Sequence, residues 1–198
     1  IRPKDKIIHA KPVEFDKIAL PYDYYTDFDI KNRHIYIESS RGCPFTCEFC
    51  LSSIDSSMRY LPIDIFLNEI DKLWNRGARN YKFIDRTFNL KISYAKAILE
   101  YFLAKDEDYF LHFEVIPDNF PPELRELLKK FKAGSLQLEV GIQTLNLDVA
   151  KQINRNLKME KIKDNLAFLS SETKAHMHID LIVGLPAETI ESFSQNLN

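Results

Sequence analysis

Five times between residues 34 and 198, a short apolar or alternating run gives way to an amphipathic one, and that order leaves few folds open. His34–Glu38 reads as the first strand. Pro62–Arg76 reads as a helix: Pro62 suits its first turn, Phe66, Ile70, Leu73 and Trp74 share one face, and Gly77 closes it. Strands are then predicted over Asn80–Ile84, Phe110–Val115, Leu136–Val140 and His176–Val183. Helices are predicted over Ser93–Lys105, Pro122–Lys132, Leu147–Ile153 and Met159–Ser170, and from Glu188 onward. Alternating strands and helices imply a parallel sheet with crossover helices. A closed eightfold barrel takes about 250 residues, and this chain has 198. The expected fold is an α/β, partial TIM-like barrel of parallel strands, truncated at about five βα units. In such sheets ligands gather at the C-terminal ends of the strands.

Residues 1–33 hold Pro3, Pro12, Pro21 and the Tyr22–Tyr25 cluster, and read as an irregular linker that wraps onto a core over 34–198. Ile1 and Asn198 read as cuts in a longer chain. Lys plus Arg number 27 against 29 Asp plus Glu. A balance that close to neutral gives no reason to expect nucleic-acid binding. No apolar run approaches the length of a membrane helix and no signal peptide is visible; a cytoplasmic location is expected.

All three cysteines lie within one segment, Cys43, Cys47 and Cys50, spaced C-x3-C-x2-C in Arg41-Gly42-Cys43-Pro44-Phe45-Thr46-Cys47-Glu48-Phe49-Cys50. An odd number so tightly packed makes a poor disulfide framework. The segment falls just past the first strand, where ligands are expected. Three thiolates there can hold three irons of a cubane cluster and leave the fourth open, whereas ferredoxin-type clusters use four cysteines. Two other readings stand beside it: a zinc site completed by a histidine such as His34, or plain core cysteines.

This spacing, with an aromatic residue just before the last cysteine, resembles the signature of the radical S-adenosylmethionine (SAM) superfamily. Gly141-Ile142-Gln143, then Asn154-Arg155, then Ile179-Asp180-Leu181-Ile182-Val183-Gly184-Leu185-Pro186 resemble its coproporphyrinogen-dehydrogenase-like branch. The run Glu38–Ser53, together with Phe83-Ile84-Asp85-Arg86-Thr87-Phe88-Asn89, looks most like a subgroup in which a cobalamin-binding domain precedes the radical domain. The resemblance implies a partial (β/α)6 barrel, a [4Fe-4S] cluster on Cys43, Cys47 and Cys50, and SAM chelating the open iron. It implies reductive cleavage of SAM to a 5′-deoxyadenosyl radical that attacks a substrate the sequence does not identify, or radical methyl transfer with cobalamin held by a preceding domain. An electron donor such as flavodoxin or ferredoxin is implied too.

The resemblance also distributes roles. Glu114 and Arg155 would hold the amino-acid end of SAM, as a carboxylate suits an ammonium and a guanidinium fork suits a carboxylate. Gln143 and Asp180 would take the ribose hydroxyls. Phe49 would pack near the adenine, and the residues around Val183 and Leu185 would line its pocket with backbone groups. One departure is plain: many members carry Gly-Gly-Glu after the second strand, and here Asp85 stands near that place. Asp85 contacts the SAM amine, or Arg86 faces substrate, or Asp85 and Asn89 cap the next helix. His176 and His178 share a sheet face; one is expected buried and hydrogen-bonded, the other lining the pocket. The competing functions are a coproporphyrinogen-dehydrogenase-like oxidoreductase and a non-catalytic zinc- or iron-binding module.

Overall fold

Parallel pairing in strict sequence order organises the chain. In this computed structural model, which describes residues 13–197, the elements are α1 (Asp27–Asn32), β1 (Ile35–Ile37), β2 (Ser40–Arg41), β3 (Arg59–Tyr60), α2 (Ile63–Asn75), β4 (Asn80–Phe83), α3 (Ile92–Leu103), β5 (Phe110–Val115), α4 (Pro122–Leu128), β6 (Leu136–Gln143), α5 (Leu147–Gln152), α6 (Met159–Glu172), β7 (His176–Leu181) and α7 (Ile190–Gln195). The main sheet runs β1-β4-β5-β6-β7, every neighbour parallel. Each new strand adds to the same edge, so right-handed crossovers put the helices on one face. That is barrel-type winding, as expected from the alternation.

The two faces differ in chemistry. Ile35, Ile37, Tyr81, Phe83, Leu111, Phe113, Leu136, Leu138 and Val140 are buried on one side, with the apolar faces of α2, α3, α4 and α6. The alternate residues form a polar lining: Tyr36, Lys82, His112 and Glu114, Gln137 and Glu139, then His176 and His178. Period-two alternation on a sheet covered on one side by helices requires this split. At the centre of the apolar side Phe83 is fully buried against Phe66, Phe88, Phe102 and Phe113.

The lead-in differs from the irregular linker expected. Thr26 and Asp29 form a reciprocal capping box that starts α1. The Tyr22 hydroxyl accepts from the Glu38 amide and donates to its carbonyl, and the Tyr25 hydroxyl does the same for Tyr36. β1 is an edge strand, and these two phenols satisfy backbone groups that its free edge leaves open. Residues 1–12, with Pro3 and Pro12, lie outside the described residues. Among the described residues no helix is long and apolar enough to cross a membrane.

Phe83→Ala removes the ring on which four others pack. It should lower unfolding free energy by about 3–5 kcal/mol, measured by urea denaturation; a loss below about 1 kcal/mol would contradict this packing.

Candidate active site

The C-terminal ends of the strands open into one cavity of about 850 Å³, within the range typical of small-molecule sites. Cys43, Cys47 and Cys50 line it together with Phe49, Glu114, Gln143, Arg155 and Asp180. Residues from five separate stretches of sequence therefore meet in one place.

The cysteine loop is built by backbone constraints. It leaves β1 through β2, which pairs antiparallel with β3 and closes the loop's base. Between β2 and Cys43, Gly42 adopts φ +98°, and a Cβ there would overlap the Ser57 carbonyl oxygen. Only glycine fits. The Cys43 amide donates to the Asp55 carbonyl at 3.1 Å. Arg59 and Ser57 in turn hold the Asp55 carboxyl down at about 2. On the far side, Asn154 sits at φ +55° and donates to the Thr46 carbonyl at 3.2 Å and its hydroxyl at 2.6 Å. The Glu48 amide donates to the Ile153 carbonyl. The loop is thus tied to the segment after α5, over 100 residues away.

Arg155 follows directly. Its Nη1 lies 3.7 Å from Cys47 Sγ, its Nη2 donates to the Gly141 carbonyl, and its Nε is buried with no partner. A buried guanidinium nitrogen without an acceptor calls for one from a ligand. Gln143 lies at φ +74° beside a register shift between β6 and β7, which turns it at the strand end. Glu114 is paired with Arg86 at 3.2 Å. Burial, then the neighbouring Glu139 charge, pushes the Asp180 carboxyl up, with His178 pulling the other way. Burial also pushes the Cys43 thiol up, against the pull of the Phe45 amide. Loading any metal must displace that proton.

Other expected site residues fall elsewhere. Asp85 does not line the cavity. It is buried, and its carboxylate accepts from the Ser39 amide at 3.0 Å and from the Ser39 and Ser40 hydroxyls at 2.6 Å each. It neither faces a SAM amine nor caps a helix; it clamps the exit of β4 to the exit of β1, just before the cysteine loop. Burial pushes its carboxyl up, against the serine hydrogen bonds. Asn89 is not a cap either: it bonds the Ile116 and Asn119 backbone, and Lys91 stands at the start of α3. Neither Val183, which is 74% exposed, nor Leu185, which packs on Val149 and Ile153, is among the residues that line the cavity. His176 and His178 are both exposed, not one buried and one lining; their ring nitrogens lie 2.8 Å apart.

The donor set fits an iron–sulfur cluster. The three thiols are free and face one cavity. Among the described residues, no three His, Cys, Asp or Glu side chains come close enough to share a single ion. His34, the suggested zinc partner, lies at the other end of β1, against Phe110 and in a separate groove with Tyr24 and Tyr25. Sequence reading named Asn154 only as part of a motif and passed over Lys82, His112 and Glu139, which also line the cavity. Their signal was polar residues at i, i+2 along successive strands.

The model of the Radical SAM superfamily matches residues 37–198. The ribosomal protein uS12 methylthiotransferase RimO of Nitratiruptor sp. is 22% identical over 96% of this chain and 46% of its own. The chain thus spans just under half the length of that curated relative. Among solved structures, the radical SAM methyltransferase TsrM from Kitasatospora setae, with cobalamin and a [4Fe-4S] cluster bound, superposes at TM-score 0.72 over 86% of this chain and 35% of its own, with 18% identity. Coproporphyrinogen III oxidase (HemN) from Escherichia coli, a radical SAM enzyme, superposes at 0.60 over 83% and 40%, with 22% identity.

Two substitutions test the loop. Gly42→Ala should reduce iron bound per chain after anaerobic reconstitution by at least half, with the fold retained by circular dichroism; full loading would contradict the account of that turn. Asn154→Gly keeps the backbone free to adopt its left-handed conformation while deleting both bonds to Thr46, and should speed iron loss to a chelator severalfold, whereas an unchanged rate would show that the tie is idle.

Proposed function

This chain belongs to the radical SAM superfamily, and from that premise we propose that it is the radical-generating domain of a transferase, with Cys43, Cys47 and Cys50 holding a [4Fe-4S] cluster. The observation that carries the proposal is the meeting of three free thiols and the orphaned Arg155 nitrogen in one cavity. When bound, the cluster supplies the electron that breaks the C5′–S bond of SAM and so yields a 5′-deoxyadenosyl radical.

The chain's own groups do the rest. Arg155 offers its free Nε to the SAM carboxylate while its other nitrogens stay anchored by Gly141 and Cys47. Glu114 is positioned for the ammonium, and must exchange Arg86 for it. Gln143 and Asp180 face the same cavity with groups suited to ribose hydroxyls. Phe49, 39% exposed, offers a face to the adenine. The lumen behind them is polar, so a radical formed there meets a substrate held by hydrogen bonds. Positioning of this kind is the protein's share of cofactor chemistry.

A transferase is favoured because the curated relative moves a methylthio group and the solved neighbour a methyl group. The partners of the whole protein would then be SAM, a substrate to be modified, and a low-potential electron donor such as a flavodoxin or ferredoxin in a reducing cytoplasm. Oxidation of the coproporphyrinogen type is the second reading, supported by the Gly141–Gln143, Asn154-Arg155 and Asp180–Pro186 pattern.

Anaerobic reconstitution with iron and sulfide should give a brown protein, because thiolate-to-iron charge transfer absorbs visible light and zinc is colourless. The reduced protein should then release 5′-deoxyadenosine from SAM, and Cys47→Ala should abolish that release while leaving the far-ultraviolet circular dichroism intact. Binding of zinc alone, or wild-type cleavage by Cys47→Ala, would refute the assignment.

A further inference from the structure

Behind the SAM-facing residues the lumen carries a second set of polar groups. Register places Tyr36, Lys82, His112, Gln137 and His176 side by side across five strands. Glu114, Glu139 and His178 form the next layer towards the cysteines. Lys82 and His112 therefore lie two residues, about 7 Å, deeper than Glu114 along the strands. Both line the cavity.

Among the described residues His112 keeps one ring nitrogen without a partner, and half-buried Lys82 has no ion pair. His112 is 3% exposed, and its Nε2 lies 2.9 Å from Glu139 Oε1. That oxygen is also approached by Gln137 Nε2 at 3.0 Å and His178 Nδ1 at 3.1 Å. Burial pushes the Glu139 carboxyl up, but hydrogen bonds from these three outweigh it and leave it lowered. An ionised carboxylate only accepts, so Nε2 carries the hydrogen, and Nδ1 is buried with no partner. Among the described residues no carboxylate pairs with Lys82. Glu114 is engaged by Arg86, Glu139 by His112, Gln137 and His178, and Asp180 lies a layer above. An ammonium without a counter-charge and an unused imidazole nitrogen stand next to each other on adjacent strands.

We propose that Lys82 and His112 form a subsite for an anionic oxygen group, a carboxylate or a phosphate, on the molecule the radical attacks. The proposal rests on the reading of this cavity as the SAM and substrate site. Lys82 supplies the charge. His112, held by Glu139 at Nε2, has a bare Nδ1 and takes up a proton from solvent together with the anion; as an imidazolium it then donates Nδ1–H to that anion. The geometry fixes the anion at the deep end of the lumen, so the remainder of the substrate extends towards the cysteine loop.

The test uses the anaerobically reconstituted protein, saturated with methyl-labelled SAM so that Arg155 is already occupied, and with ring-labelled histidine. Inorganic phosphate and succinate are titrated in separate arms. The His112 ring nitrogens should move saturably towards the imidazolium pattern with at least one anion, and the responding arm assigns phosphate or carboxylate. Lys82→Met should weaken that response about tenfold or more, the loss of one charge-assisted hydrogen bond, and Lys82→Arg should restore most of it. No movement at His112 with either anion, or the same affinity in Lys82→Met, overturns the subsite. SAM binding is read from its own methyl resonance in the same spectra, so its failure counts against the cofactor reading and is seen separately.

Discussion

The parallel register of five strands is the constraint on which the rest depends. It sends every strand's C-terminal end to the same rim, and it fixes which side chain of each strand faces the helices. Once Ile35, Tyr81, Leu111 and Leu136 line up on the apolar side, their neighbours Tyr36, Lys82, His112 and Gln137 must line up in the lumen. The hydrophobic core thus places the polar site. A slip of one residue in any strand would bury the wrong set.

On that rim the cysteine loop is held from three directions. Asp85 fixes its departure through Ser39 and Ser40, Gly42 permits its turn, and Asn154 ties its middle to the far side of the cavity. A loop held this way presents its thiols with little freedom left to lose when a cluster binds, and ordering costs are what weaken loosely held sites.

Much of this was legible in the residues. The β5 boundaries follow directly from Phe110–Val115, and the starts of α4, α5 and α6 fall at Pro122, Leu147 and Met159 as the pattern predicts. Other helix bounds were less visible: α4 stops at Leu128, short of the expected Lys132, and α7 starts at Ile190, two residues past the expected Glu188. The convergence of Cys43, Gln143 and Arg155 was legible because strand ends in parallel sheets share a rim. What escaped were groups whose meaning is tertiary. Nothing local distinguishes a carboxylate that clamps two serines from one that meets an ammonium, and so Asp85 was misplaced. The capping box at Thr26 and Asp29 was a local signal in a segment whose prolines suggested irregularity. His176 and His178 share a face as alternation requires, but their own spacing does not say that this face lies open at the β7 edge of the sheet.

The central claim is that three sulfurs hold a cluster with one iron left for SAM. Mössbauer spectroscopy of the chain reconstituted with iron-57 tests it most directly. The account predicts a [4Fe-4S] spectrum in which SAM changes a single iron site and leaves the others as they were. Iron sites that SAM does not touch, or a protein that takes up zinc in place of iron, would contradict it.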